Sequence, residues 1–210
     1  MMSSTKLTYL FDPLCGWCYG AAPAIALLAQ QRNIELTILP TGLFSHSGRT
    51  MSADFAEYAW SNDQRIAQLT GQIFSAAYYQ NVLQAFGTPF DSFTMVQALA
   101  AVAPLQRPTA LTALQHARYV AGRDVTDLAV LKEVLLETDL APAAGILDSE
   151  ATKQNAAELI RQGQALATEL GIQGVPALLA HAQNGKTKVL PNAWLYEDMA
   201  KLVEKIKAEA

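Results

Sequence analysis

Leu7-Thr8-Tyr9-Leu10-Phe11-Asp12-Pro13-Leu14-Cys15-Gly16-Trp17-Cys18-Tyr19 decides how this chain is read. Residues 7–11 are a short apolar, aromatic-rich run halted by Asp12-Pro13, a pattern that suits a central strand buried on both faces. Directly behind the turn stand the two cysteines of the chain, two residues apart. After them Ala21, Ile25, Leu28 and Ala29 recur at helical spacing, and Arg32-Asn33 closes the helix. Residues 34–39 then alternate apolar with polar and stop at Pro40, which gives a second strand and completes a right-handed β-α-β unit.

Between residues 51 and 170 the texture changes to Ala, Leu and Gln with few β-branched runs, a helical composition. Gly and Pro breaks divide it into candidate helices at 54–61, 63–85, 95–103, 109–121, 127–137 and 149–170. Gly171 is placed to cap the last of these. Residues 175–180 then return to a short apolar run, Asn184-Gly185 signals a hairpin, residues 187–190 pair back antiparallel, and a helix over 194–207 ends the chain. The expected fold is α/β and thioredoxin-like (β-α-β … β-β-α) with a large inserted α-helical domain. Residues 1–48 and 171–210 form the discontinuous thioredoxin-like part and 49–170 the insertion.

A chain of 210 residues, 51% apolar, can bury a sizeable core without disulfide staples. Its formal charge of −4 is weak and its basic residues are scattered, which argues against a nucleic-acid partner. No run of eighteen apolar residues occurs, which argues against a membrane span. The N-terminus runs straight into the first strand and leaves no room for a cleavable signal, so a cytoplasmic address is expected. In that compartment structural disulfides are rare, and a C-x-x-C at the first turn of a β-α-β unit reads as a thioredoxin-like redox motif. A zinc site needs four ligands, and His46, His116 and His181 form no spaced pair, so no metal is expected.

Exchange with a disulfide requires a thiolate, whereas a free cysteine with a pKa near ~8.5 is mostly protonated at neutral pH. A helix starting near Gly16 puts Cys15 at its N-terminus, where unpaired N–H groups and the helix dipole favour a negative sulfur. Cys15 is therefore the expected attacking thiol. Cys18, one turn further in on the same side, is the expected resolving thiol. Gly16 keeps the approach to Cys15 open, and Trp17 offers a broad apolar face to a substrate. His46 belongs to the loop after the second strand and is read as solvated. Tyr58, Trp60, Tyr78 and Tyr79 are assigned to the core rather than to a groove wall.

The strand, Cys15-Gly16-Trp17-Cys18, Pro23 five residues past the second cysteine, the helical insertion and Gly174-Val175-Pro176 together resemble the DsbA-like branch of the thioredoxin superfamily. The likeness is to its cytoplasmic thiol–disulfide oxidoreductases, in which an Asp-x-x-Cys turn (here Asp12 to Cys15) precedes the motif. The resemblance implies a cis Val175–Pro176 bond facing the dithiol, with the Val175 backbone pairing with an extended substrate. On the residues alone, Pro176 reads as an ordinary strand-start proline. It implies further a reductase or isomerase rather than a strong oxidant, acting on a disulfide-containing protein or a small thiol. No bound cofactor is implied; glutathione or another cellular thiol would serve as co-substrate. Related folds often keep a buried acid six residues before the first cysteine, and here Tyr9 stands in its place. Asp12 is the nearest alternative proton acceptor, although Asp-Pro is also a common turn start. Two other functions compete: a glutathione-dependent kappa-type transferase or isomerase, which usually carries serine where Cys15 stands, and a non-catalytic peptide-binding module.

Overall fold

The computed structural model describes residues 4–209. Strands β1 (Thr5–Phe11), β2 (Ile34–Pro40), β3 (Ala177–His181) and β4 (Thr187–Leu190) form one sheet in the order β2-β1-β3-β4. β1 lies parallel to β2 and antiparallel to β3, and β4 closes the hairpin antiparallel to β3. Leu7 through Phe11 are all buried, as an apolar run between two covered faces requires. His181 ties the sheet laterally, its ring reaching Thr8 at 2.8 Å on β1 and Thr187 at 2.9 Å on β4.

The helix after the cysteines is in fact two pieces, α1 (Gly16–Gly20) and α2 (Ala22–Ala29). Pro23 sits in the first turn of α2 and has no N–H to give back to the Tyr19 carbonyl. That carbonyl instead accepts from Gln72 Nε2 at 2.9 Å, so the break is held by a side chain from the helical region. Helix α3 (Ala53–Thr70) runs without interruption through Asn62-Asp63, where a boundary is expected from the sequence. Its true stop is Gly71, which takes the left-handed conformation (φ 73°) that glycine adopts freely. A short α4 (Ala76–Tyr78) follows and runs into a π-turn over Tyr79–Leu83, replacing the single long helix expected over 63–85.

Helices α5 (Phe93–Ala100), α6 (Arg107–Tyr119), α7 (Leu128–Leu136) and α9 (Glu150–Glu169) fall where the composition places them, while α8 (Ala141–Ala144) is too short to leave a periodic signal. The last helix, α10 (Met199–Glu209), starts five residues later than expected. Pro191 opens a 3-10 turn over Asn192–Leu195, and the Asp198 carboxylate accepts the Ala200 N–H at the new start. Helix α9 lies over β2 so closely that a Cβ on Gly163 would collide with the Pro40 carbonyl. One hydrophobic cluster runs from Leu7 and Phe11 of the sheet through Leu28 of α2 to Leu99 and Leu114 of the helical region.

Two glycines decide how that region meets the sheet domain. A Cβ on Gly16 would lie 2.5 Å from Asp63 Oδ1, and one on Gly20 would lie 2.7 Å from Ile66 Cγ2. Spaced i, i+4, they present a flat face of α1 on which α3 rests. This contact carries α3 over the head of the dithiol helix.

Candidate active site

Cys15 is the N-cap of α1, with extended backbone angles, and Cys18 lies one turn in. Both are free thiols, Cys18 fully enclosed and Cys15 buried but at the wall of a cavity. The Cys18 thiol donates to the Cys15 sulfur, and the Cys18 and Trp17 N–H groups add two more donors. Together they pull the Cys15 pKa below that of a free thiol against the opposing effect of burial. Burial, and the proton it lends to Cys15, pushes Cys18 well above its ordinary value. The pair is thus split into a more acidic thiol at the cavity wall and a less acidic one behind it, the asymmetry that two-step exchange needs.

Across from Cys15, the Val175–Pro176 bond is cis and the Val175 carbonyl lies 3.8 Å from Cys15 Sγ. The Val175 N–H donates to no group among the described residues, and Pro176 is buried beneath. Gly16 and Trp17 are half-buried at the same opening. Trp17 stands edge-on to Tyr196, whose hydroxyl donates to the Trp17 carbonyl at 3.1 Å. Two further tyrosines hold the loop: Tyr119 donates to the Leu14 carbonyl at 2.8 Å and Tyr9 to the Cys18 carbonyl at 3.3 Å. Burial keeps Tyr9 and Tyr119 protonated, so both serve as donors and not as bases. Tyr119 and Tyr196 lie more than a hundred residues from the motif, and no spacing signal in the sequence ties them to it.

Asp12 is fully buried and both its oxygens are in use. Oδ1 accepts the Leu14 N–H at 2.9 Å, and Oδ2 accepts the Phe44 N–H at 3.1 Å and the Ser92 hydroxyl at 2.8 Å. Burial raises its pKa and the three donors pull it back. The Leu14 contact is the Asx turn that Asp-Pro favours.

The cavity beside Cys15 measures about 250 Å³. Leu14, Cys15, Gly16 and Trp17 form its floor, and α3 overhangs it with Phe55, Tyr58 and Asp63. Arg49 and Asn62 supply polar groups at its edge. Of the aromatics assigned to the core from sequence, Tyr78 is buried there and only its inner side borders the cavity, whereas Tyr58 is two-thirds exposed and lines the opening. Trp60 packs instead on Tyr78 and Tyr79. His46 does not reach the cavity; its N–H donates to Asp91 and its ring lies against Phe93. No cluster of three or more His, Cys, Asp or Glu that could hold a metal occurs among the described residues.

A C-x-x-C on a strand-to-helix turn, set against a cis-proline loop under a helical insertion, defines a thioredoxin-fold disulfide oxidoreductase. The chain belongs to the family of the DSBA-like thioredoxin domain, whose family model matches residues 6–207. The cytosolic disulfide reductase DsbM from Pseudomonas aeruginosa superposes with a TM-score of 0.87 at 27% identity, covering 97% of this chain and 98% of that one. The same protein with GSH gives 0.86 at 26% identity, with coverage of 97% and 98%. A 2-hydroxychromene-2-carboxylate isomerase shares the fold, with a TM-score of 0.57 at 19% identity over 98% of this chain and 99% of that one. The search of curated proteins by sequence finds no significant match. Among the described residues no helix is long and apolar enough to cross a membrane.

Proposed function

We propose that this protein is a disulfide reductase of the cytosol that draws its electrons from glutathione. The observation that carries the reading is the Cys15 sulfur, made the more acidic of the pair by Cys18 and placed at the cavity wall opposite the free Val175 N–H. The likeness to DsbM, cytosolic by name and solved with GSH, supports both the thiol and the compartment.

In the forward direction an extended segment of the substrate lies against the Val175 backbone and the Trp17 face, above Pro176. The Cys15 thiolate attacks one sulfur of the substrate disulfide and expels the other, which takes a proton. Cys18 loses its proton and attacks Cys15 Sγ, releasing the second substrate thiol and leaving a Cys15–Cys18 disulfide. Two glutathione thiols then reduce that bond through a mixed disulfide on Cys15 and leave as glutathione disulfide. Gly16 keeps the sulfur approachable, and Asp12 holds the turn. A kappa-type transferase has no use for the Cys18 proton shared with Cys15, which favours the dithiol reading.

The test is to equilibrate the protein in graded glutathione redox buffers, tag free thiols with an alkylating reagent and count tags by mass. A cooperative switch between two tags and none is expected, with Cys18→Ala trapping a stable adduct on Cys15. Two tags at every ratio, or full activity in Cys18→Ala, overturns the dithiol mechanism.

A further inference from the structure

The reaction above needs somewhere for a second negative charge to be relieved. When the Cys15–Cys18 disulfide is reduced, Cys18, the less acidic thiol, takes a proton, and the charge of ionised Cys15 appears at the cavity wall. Like charges in a poorly solvated site suppress one another, and a neighbouring acid will bind a proton when such a charge forms.

Two acids lie beside the dithiol: Asp12, whose charge opposes ionisation of Cys15, has both oxygens engaged by three donors, whereas Asp63 keeps one oxygen free. Asp63 projects from the middle of α3, is 5% exposed, and its Oδ1 occupies the space that a Cβ on Gly16, the residue next to Cys15, would need. Oδ2 accepts the Tyr78 hydroxyl at 2.9 Å, while Oδ1 accepts no hydrogen bond among the described residues. Asp63 and Cys15 line the same cavity, so water can carry a proton to the carboxyl. The groups facing Asp63 are Tyr78 next to the π-turn, Arg118 and Tyr119 of α6, Cys15 at the head of α1, and Tyr58 and Arg49 around the cavity. Arg118 is the balancing cation, stacked on the rings of Tyr78, Phe90 and Tyr119 with two of its nitrogens unpartnered.

We infer that Asp63 is a redox-linked positioning residue of the dithiol: its carboxyl takes up a proton when the Cys15–Cys18 disulfide is reduced and gives it up when the disulfide re-forms. Reduction by two glutathione thiols then proceeds with one proton to Cys18, one to Asp63, Cys15 left as thiolate, and glutathione disulfide released. Burial, opposed by Tyr78 and Arg118, pushes the Asp63 pKa up to about 7, within reach of this exchange near neutral pH. The inference rests on the dithiol reading, and the experiment separates the two.

The exchange constant between the protein and glutathione is measured by thiol tagging from pH 6 to 7.5, where the glutathione thiol is still protonated, for the wild type and for Asp63→Asn. Glutathione gives up two protons when it is oxidised. A dithiol that binds one proton on reduction therefore shows a tenfold change in this constant per pH unit, and one that binds two shows none. The wild type is expected to fall clearly short of tenfold around neutrality and Asp63→Asn to show the full tenfold, with a lower Cys15 thiolate pKa by ultraviolet absorbance. Identical pH profiles in the two proteins overturn the Asp63 inference and leave the dithiol standing; absence of any two-tag switch in either overturns the dithiol reading itself. Infrared difference spectra of the wild type provide a readout that needs no variant to fold. A protonated carboxyl band must appear on reduction near pH 7. Its absence overturns the inference, as does its survival in Asp63→Asn, which would assign the proton to Asp12.

Discussion

Two acids are buried beside the CGWC loop, and their oxygens meet different numbers of donors. Asp12, in the turn before the motif, has three donors on its two oxygens; Asp63, on the helix over the motif, has one donor and an oxygen left to a cavity. Burial raises the pKa of each. A carboxylate surrounded by donors has its desolvation cost offset and becomes part of the frame. A carboxylate with a single neutral donor keeps its charge only at a cost, and stays free to exchange a proton. The comparison separates an acid that shapes the loop from an acid that can respond to it.

The contrast is broken or sharpened first by pH. Burial pushes the Asp63 pKa up to about 7, far above the ~3.9 of a free aspartate. An acid whose pKa is raised on folding contributes stability that is complete below its unfolded value and lost as pH rises through the folded one. Three pH units at ~1.4 kcal/mol each give a loss of about 4 kcal/mol between pH 4 and pH 8. Asp63→Asn keeps an acceptor for Tyr78 and carries no charge, so its stability relative to the wild type should rise by about that amount over the same window. Denaturant unfolding at pH 4.5 and 8 checks it; a constant difference between the two proteins would place Asp63 with Asp12 as a framework acid.

Asp12→Ala gives the converse result. It leaves the Leu14 and Phe44 N–H groups and the Ser92 hydroxyl without their acceptor, and each orphaned buried donor costs roughly 1 kcal/mol or more. A loss of about 3 kcal/mol is expected by urea unfolding at neutral pH. A loss below about 1 kcal/mol would mean that water replaces the carboxylate, and the turn would then not depend on it.

The sequence tells these acids apart only in part. The dithiol, the first β-α-β unit and the closing hairpin are legible because their signals are local: an apolar run, a turn residue, a two-residue spacing, an Asn-Gly pair. Asp12 can be read from Asp-Pro for the same reason. Asp63 cannot, because Ser61-Asn62-Asp63 looks like a helix start, and the chain is instead helical through it from Ala53 to Thr70. A usable signal was there: Asp63 falls seven residues after Ala56 and three before Ile66, on the stripe that α3 buries. A charge on a buried stripe is unusual enough to be singled out. Tyr119 and Tyr196 had no such marker, since their partners are main-chain carbonyls chosen by the tertiary fold.

The smallest effect tests whether Gly16 belongs to the motif's chemistry or to its packing. Gly16→Ala supplies a Cβ 2.5 Å from Asp63 Oδ1 and 3.1 Å from Ile66 Cδ1, so the carboxyl must shift against Tyr78. Overpacking of this kind costs about 1 to 3 kcal/mol, and the better helix propensity of alanine returns up to about 1 kcal/mol. A net loss of roughly 1 kcal/mol is expected. In an Asp63→Ala background only the flexible end of Ile66 still meets the added Cβ, and Gly16→Ala should be close to neutral. The double-mutant cycle should therefore give a coupling of about 1 to 2 kcal/mol between positions 16 and 63. A coupling near zero would mean that α3 does not press on the head of the dithiol helix. Glycine at 16 would then be kept for access to Cys15 alone, and the two acids would differ less in their reach to the sulfur than their hydrogen bonds imply.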